Sequence, residues 1–260
     1  MDLMDINGID LEVLTVPGPG DRAPLVFLHE GLGSVALWRG RDGFWPEQLC
    51  QASGRAGVVY SRRGYGASQA IPDVRGTQRH PPDYMHLEAW EVLPALLRKL
   101  HIERPVLIGH SDGGTIALLH AAHHPVSACI VMAPHVVVED ISVRAIEAAR
   151  EAFEAGPLRT RLAAFHADVD GAFWQWNDVW LSEAFRSYDI RGEISAIAAP
   201  LLAIQGEDDA YGTMAQIDEI ATAVPHARLL KLAACGHSPH RDQSAAVSQA
   251  MADFLAANPV

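Results

Sequence analysis

Cysteine is scarce in this chain of 260 residues, with only Cys50, Cys129 and Cys235. The number is odd, the spacing wide and no CxxC pair occurs, so neither a disulfide framework nor a zinc site is indicated. Two of the three lie in apolar runs and read as core. Basic residues are outnumbered, 20 Lys and Arg against 32 Asp and Glu, for a net charge of −12. Such a surface repels phosphate backbones and anionic bilayers, so no nucleic acid and no membrane is expected among the partners. Long hydrophobic runs are missing too: none approaches 18 apolar residues. The acidic start Met1-Asp2-Leu3-Met4-Asp5 lacks the basic region and apolar stretch of a secretion signal. A cytoplasmic location is the expectation. No internal repeat or low-complexity tract is present.

What the chain does have is enough apolar residue, 49% against 20% charged, to bury one large core. Asn7-Gly8 interrupts an alternating stretch from Met4 to Val16, which predicts a hairpin of two edge strands. Continuous apolar runs at Leu25-Val26-Phe27-Leu28, Gly57-Val58-Val59-Tyr60, Val106 to Ile108, Ala128 to Met132 and Leu201 to Ile204 fit strands covered on both faces. Ala227 to Leu232 is a further strand. Helices are predicted from Trp38 to Leu49, after Ser111, from Thr213 to Val224 and from Gln243 to Leu255. Another is predicted from Tyr84 to Leu100, where Leu87, Trp90, Leu93, Leu97 and Leu100 make one face. Alternation of this kind implies an α/β fold with a mostly parallel twisted sheet of about eight strands and helices on both faces. Sites in such sheets form at the carboxyl ends of the strands.

From Val136 to about Gly192 the pattern changes to helices alone, and Phe173 to Trp180 holds three of the six tryptophans. The expected organisation is a core of residues 1–135 and 193–260 with a helical cap, 136–192, over the carboxyl edge of the sheet.

The stretch Gly109-His110-Ser111-Asp112-Gly113-Gly114 lies between a strand run and a helix-forming segment. A strand turning sharply into a helix would hold Ser111 at its apex, with flanking glycines letting backbone approach backbone. A serine hydroxyl is a poor nucleophile unless an imidazole takes its proton and a carboxylate orients that imidazole. Downstream turns supply candidates for both: Gly206-Glu207-Asp208-Asp209 and Gly236-His237.

With His29-Glu30-Gly31 after an early strand and Arg63-Gly64-Tyr65-Gly66-Ala67-Ser68 after the next, these motifs resemble the α/β-hydrolase family, in order and over nearly the whole chain. The resemblance implies Ser111 as nucleophile, Asp209 as the orienting acid and His237 as general base. Asp208 is the alternative acid, and the Gly-x-x-Asp spacing favours Asp209. The backbone N–H groups of Gly31 and Asp112 are the candidates for an oxyanion hole. No cofactor is required and no metal is indicated: His240 follows His237 by three residues without an accompanying ligand arrangement. His110 is expected to point away from the serine.

Glu30 stands where the family usually has glycine, and Asp112 follows the nucleophile, so two carboxylates fall near a site that must stabilise an anion. Both are expected to turn away, with Arg62 or Arg63 pairing Glu30; the competing expectation is contact with a polar substrate group. Trp176 and Trp180 are either helical core or part of an apolar pocket. The expected function is cleavage of a small carboxylic ester, lactone or related acyl substrate through an acyl-enzyme. A carbon–carbon hydrolase of aromatic ring-cleavage products is an alternative, although such enzymes commonly carry Asn before the serine and Trp after the histidine, where this chain has His110 and Ser238. A non-catalytic receptor on the same fold is another. A homodimer stays open.

Overall fold

The structure, a computed structural model, describes residues 2–258. Eight strands form the main sheet: β1 (Asp2–Ile6), β2 (Ile9–Val16), β3 (Leu25–Leu28), β4 (Gly57–Tyr60), β5 (Val106–His110), β6 (Ala128–Met132), β7 (Leu201–Gly206) and β8 (Arg228–Leu232). Their spatial order is β1-β2-β4-β3-β5-β6-β7-β8, and every pairing from β4 to β8 is parallel. The expected hairpin forms, turning on Asn7 and Gly8, both at positive φ. Of these two strands only β1 lies at an edge, however, because β2 also pairs antiparallel with β4. Hydrophobic alternation in β1 and β2 reports one covered face and is silent on how many neighbours the strand has.

The central strands are buried on both faces, and side-chain alternation divides the core in two. Val26, Leu107, Val131 and Ala203 face one layer, packed by the helix Asp112–His123 and the helix Ala215–Ala223. Phe27, Ile108, Ile130 and Ile204 face the other, packed by the helices Trp45–Ser53 and Ser244–Ala257.

Two helical expectations change. Trp38 to Leu49 is not one helix: Arg39–Gly40 and Gly43–Phe44 form a two-residue ladder, and the helix begins only at Trp45 with Pro46 in its first turn. Gly43 at φ +118° supplies the tight reversal that a helix would forbid. Tyr84 to Leu100 is interrupted by a π-helical turn, Glu88–Val92, between Tyr84–Leu87 and Leu93–Lys99. The wider turn shifts the register by about one residue, so Met85, Ala89, Leu93, Leu96 and Leu97 are buried while Leu87 and Trp90 are exposed.

Between β6 and β7 the chain is helical, with segments at Asp140–Glu154, Leu158–Leu162, Val169–Trp180, Glu183–Ser187 and Arg191–Ile194. Its two ends meet at a bridge between Val137 and Asp189 and a hydrogen bond from Ile190 N–H to Val136 C=O. Among the described residues, no helix is long and apolar enough to cross a membrane.

Candidate active site

Ser111 sits between β5 and the helix Asp112–His123 at φ 53°, ψ −122°, a strained conformation for a residue with a side chain. The flanking glycines are there for space. A Cβ on Gly109 would run into the Gly113 carbonyl, and one on Gly113 into the carbonyl of Leu28 at the end of β3. Strand and helix therefore touch backbone to backbone, and the serine is pushed out at the carboxyl edge.

Two loops from beyond β7 and β8 meet it there. His237 Nε2 lies 3.0 Å from Ser111 Oγ, and His237 Nδ1 lies 2.9 Å from both carboxylate oxygens of Asp209. With Nδ1–H donating to Asp209, Nε2 is free to accept the serine proton. Asp209 is buried, and accepts further bonds from Gln205 Nε2 at 2.7 Å and Tyr211 N–H at 2.8 Å. Burial favours its neutral form, but the hydrogen bond and charge of His237 and the Tyr211 N–H outweigh that and hold its pKa below the ordinary value. Asp208 is exposed and directs its own N–H to Cys235 C=O, so Asp209 is the acid facing the imidazole.

A cavity of about 320 Å³ opens above Ser111, and Gly31, Asp112, Glu30, Trp176, Trp180 and His237 all line it. Among the described residues, the backbone N–H groups of Gly31 and Asp112 have no acceptor. Both residues in question line this space, Glu30 with a part-exposed carboxylate and Asp112 with its carboxylate buried. The expected pairing of Glu30 with Arg62 or Arg63 does not form. Glu30 Oε2 lies 3.4 Å from His110 Nδ1 and Oε1 lies 3.7 Å from Arg241. Burial would raise the Glu30 pKa, yet His110, Arg241 and His240 hold it well below the ordinary range. Arg62 instead lies 3.7 Å from Asp112 Oδ2, which also accepts the Tyr84 hydroxyl. Burial raises the Asp112 pKa against the opposing pull of Arg62.

His110 lines the cavity with Ser111, and its Nε2 donates to His237 C=O at 2.7 Å, bracing the loop that carries the base. His240 packs against Trp38 and Trp45, which stack on each other. Of the clustered tryptophans, Trp174 lies against Arg75 outside the cavity, Trp176 covers Gly31, and Trp180 is locked by Tyr84, His135 and Phe185.

The sequence reading missed His135, which lines the cavity from the end of β6 with a buried Nδ1 that has no partner among the described residues. Burial, then the neighbouring His237, pushes its pKa down to about 3, so it stays a neutral imidazole. Its place at a strand's carboxyl end was the available signal. Gln205 and Tyr211, which hold Asp209, flank the Gly-x-x-Asp turn and carry no motif of their own.

A family model described as Alpha/beta hydrolase family matches residues 25–250. A protein from Pantoea ananatis named putative carbamate hydrolase RutD is 26% identical over 246 residues, covering 83% of this chain and 82% of its own. The crystal structure of an enol-lactonase from Burkholderia xenovorans has a TM-score of 0.74 at 21% identity, covering 98% of this chain and 99% of the other. A carboxylesterase structure from Nitrososphaera gargenis gives 0.73 at 22% identity over 96% of both chains. At these identities, the two structural likenesses establish a shared fold.

Proposed function

The chain belongs to the alpha/beta hydrolase family, and from that premise we propose that it is a serine hydrolase cleaving a carboxylic ester or lactone through an acyl-enzyme. The observation that carries the proposal is the unbroken path Ser111 Oγ, His237 Nε2, His237 Nδ1, Asp209, at 3.0 and 2.9 Å.

Ser111 Oγ attacks the carbonyl carbon while His237 Nε2 takes its proton, and Asp209 stabilises the imidazolium that results. Negative charge gathers on the former carbonyl oxygen, where the N–H groups of Gly31 and Asp112 receive it; such a donor contributes about 3–4 kcal/mol elsewhere. His237 then protonates the departing alcohol or opened lactone oxygen, and a water deprotonated by the same imidazole releases the acid. Residues 136–192 act as the cap, with Trp176 and Trp180 as its aromatic wall over the acyl group. The same acyl chemistry serves a carbamate carbonyl, the bond in the name of the Pantoea relative.

The test is covalent labelling with a fluorophosphonate, followed by turnover of nitrophenyl esters of increasing chain length, lactones, a carbamate and a ring-cleavage dienoate. Labelled wild type, unlabelled Ser111→Ala and turnover of esters or lactones are the expected results. No labelling of either protein would favour a receptor, and turnover of the dienoate alone would favour carbon–carbon cleavage.

A further inference from the structure

Arg62 follows β4, outside the elbow and outside the loops bearing the base and acid, and the residue is 4% exposed. A buried guanidinium has a large desolvation cost, so its partners need an explanation. One hand of the fork, Nη2, donates to the Glu30 carbonyl at 2.9 Å. The other, Nη1, lies 3.7 Å from the Asp112 carboxylate. The same residue's backbone N–H donates to His29 Nε2 at 3.0 Å. That fixes the tautomer in which His29 Nδ1–H donates to the Glu30 carbonyl as well, at 2.7 Å. The Glu30 C=O and the Gly31 N–H belong to one planar peptide and point in opposite directions. With the Gly33 N–H, which donates to the same oxygen at 3.0 Å, these two side-chain donors grip it from behind and hold the Gly31 N–H forward into the cavity it shares with Ser111.

Resting on the serine-hydrolase reading, we propose that Arg62 is the positioning residue of the oxyanion hole. Its two hands set the Gly31 N–H through the Glu30 carbonyl, and the Asp112 N–H through the Asp112 carboxylate. Hydrogen bonds to the carbonyl also polarise the peptide and strengthen its N–H as a donor. Arginine is required because a planar fork reaches two acceptors at a fixed angle, whereas an ammonium is a single point of charge.

Removing such support costs turnover and leaves substrate binding alone, because the oxyanion forms only in the transition state. On a nitrophenyl ester, kcat is expected to fall on the order of 10²-fold in Arg62→Met and at least about tenfold in Arg62→Lys. KM should stay within about twofold, and the acid limb of the kcat/KM profile should not move, since the Ser111–His237 pair is untouched. Arg62→Lys keeps a positive charge beside Asp112, so it decides the matter if Arg62→Met fails to fold. Near-wild-type kcat in folded Arg62→Lys overturns the proposal, as does a raised KM with intact kcat or a displaced acid limb. A wild type that takes no fluorophosphonate overturns the hydrolase reading itself, a different result from labelled wild type with fully active Arg62 variants.

Discussion

The difference between Asp208 and Asp209 is one residue in sequence and the whole of the candidate acid's role in space. Asp209 fixes the proton on His237 Nδ1, so Asp209→Asn should leave the fold intact and lower kcat by about 10⁴-fold, the size of the effect when the same carboxylate is lost from a serine protease. Asp208→Asn, on an exposed side chain, should stay within about twofold of wild type. Steady-state turnover of one ester by both variants checks this, and equal losses would contradict the assignment. Ser111, Asp209 and His237 were legible because each sits in a short motif whose glycines the turn requires. The partners of Glu30 and Asp112 were not, since Arg241 and Arg62 lie 211 and 50 residues away from them in sequence.

At the level of elements, the elbow is a contact between backbones. Gly113→Ala would drive a methyl group into the Leu28 carbonyl, and a loss of about 3 kcal/mol or more is expected in chemical denaturation. The helix Val169–Trp180 divides its tryptophans between two tasks. Trp180 donates to the Tyr84 hydroxyl at 3.0 Å and packs on His135 and Phe185, so Trp180→Ala should cost about 3–5 kcal/mol of stability. Trp176 covers Gly31, and Trp176→Phe should shorten the wall there at little cost to stability while raising the ratio of long-chain to short-chain ester turnover. An unchanged ratio would remove Trp176 from the pocket. The sequence placed this segment in a helical stretch without separating the two roles, because both residues are buried. The π-turn at Glu88–Val92 shows the limit of periodicity from the other side: one added residue moved the buried stripe off Leu87 and Trp90.

Across the whole molecule, buried imidazoles make the fold sensitive to acid. Burial drives His29 and His240 well below the ordinary histidine range, and His120 and His135 down to about 4 and about 3. Each remains neutral in the folded protein while the unfolded chain takes up a proton near pH 6.5, so stability is present above that pH and lost as pH falls toward the folded value. His120 and His135 should each cost on the order of 1–2 kcal/mol at pH 5 relative to pH 7. Asp112 and Glu88, whose pKa values burial raises, act in the opposite sense, relieving a penalty as they protonate. His80, His124 and His166 are held low by burial as well, and seven imidazoles against two carboxyls should leave denaturation midpoints lower at pH 5 than at pH 7, with His120→Gln flattening the slope. An unchanged or higher midpoint at pH 5 would contradict the burial of these rings as neutral groups.

By itself the sequence determined the alternation of strands and helices, the elbow with its two obligatory glycines, and the three residues proposed for catalysis. Each of these depends on neighbours a few positions away, and a turn or a buried strand shows its requirements locally. Tertiary structure alone decided that β2 is interior, that Arg62 grips Glu30 and Asp112 from behind, that Trp176 and Trp180 differ, and that His135 borders the cavity. Those are contacts between segments far apart along the chain, as Ser111 and His237 are at 126 residues. Partners at that separation are chosen by how the sheet stacks its loops at one edge, a choice to which no stretch of residues holds the key.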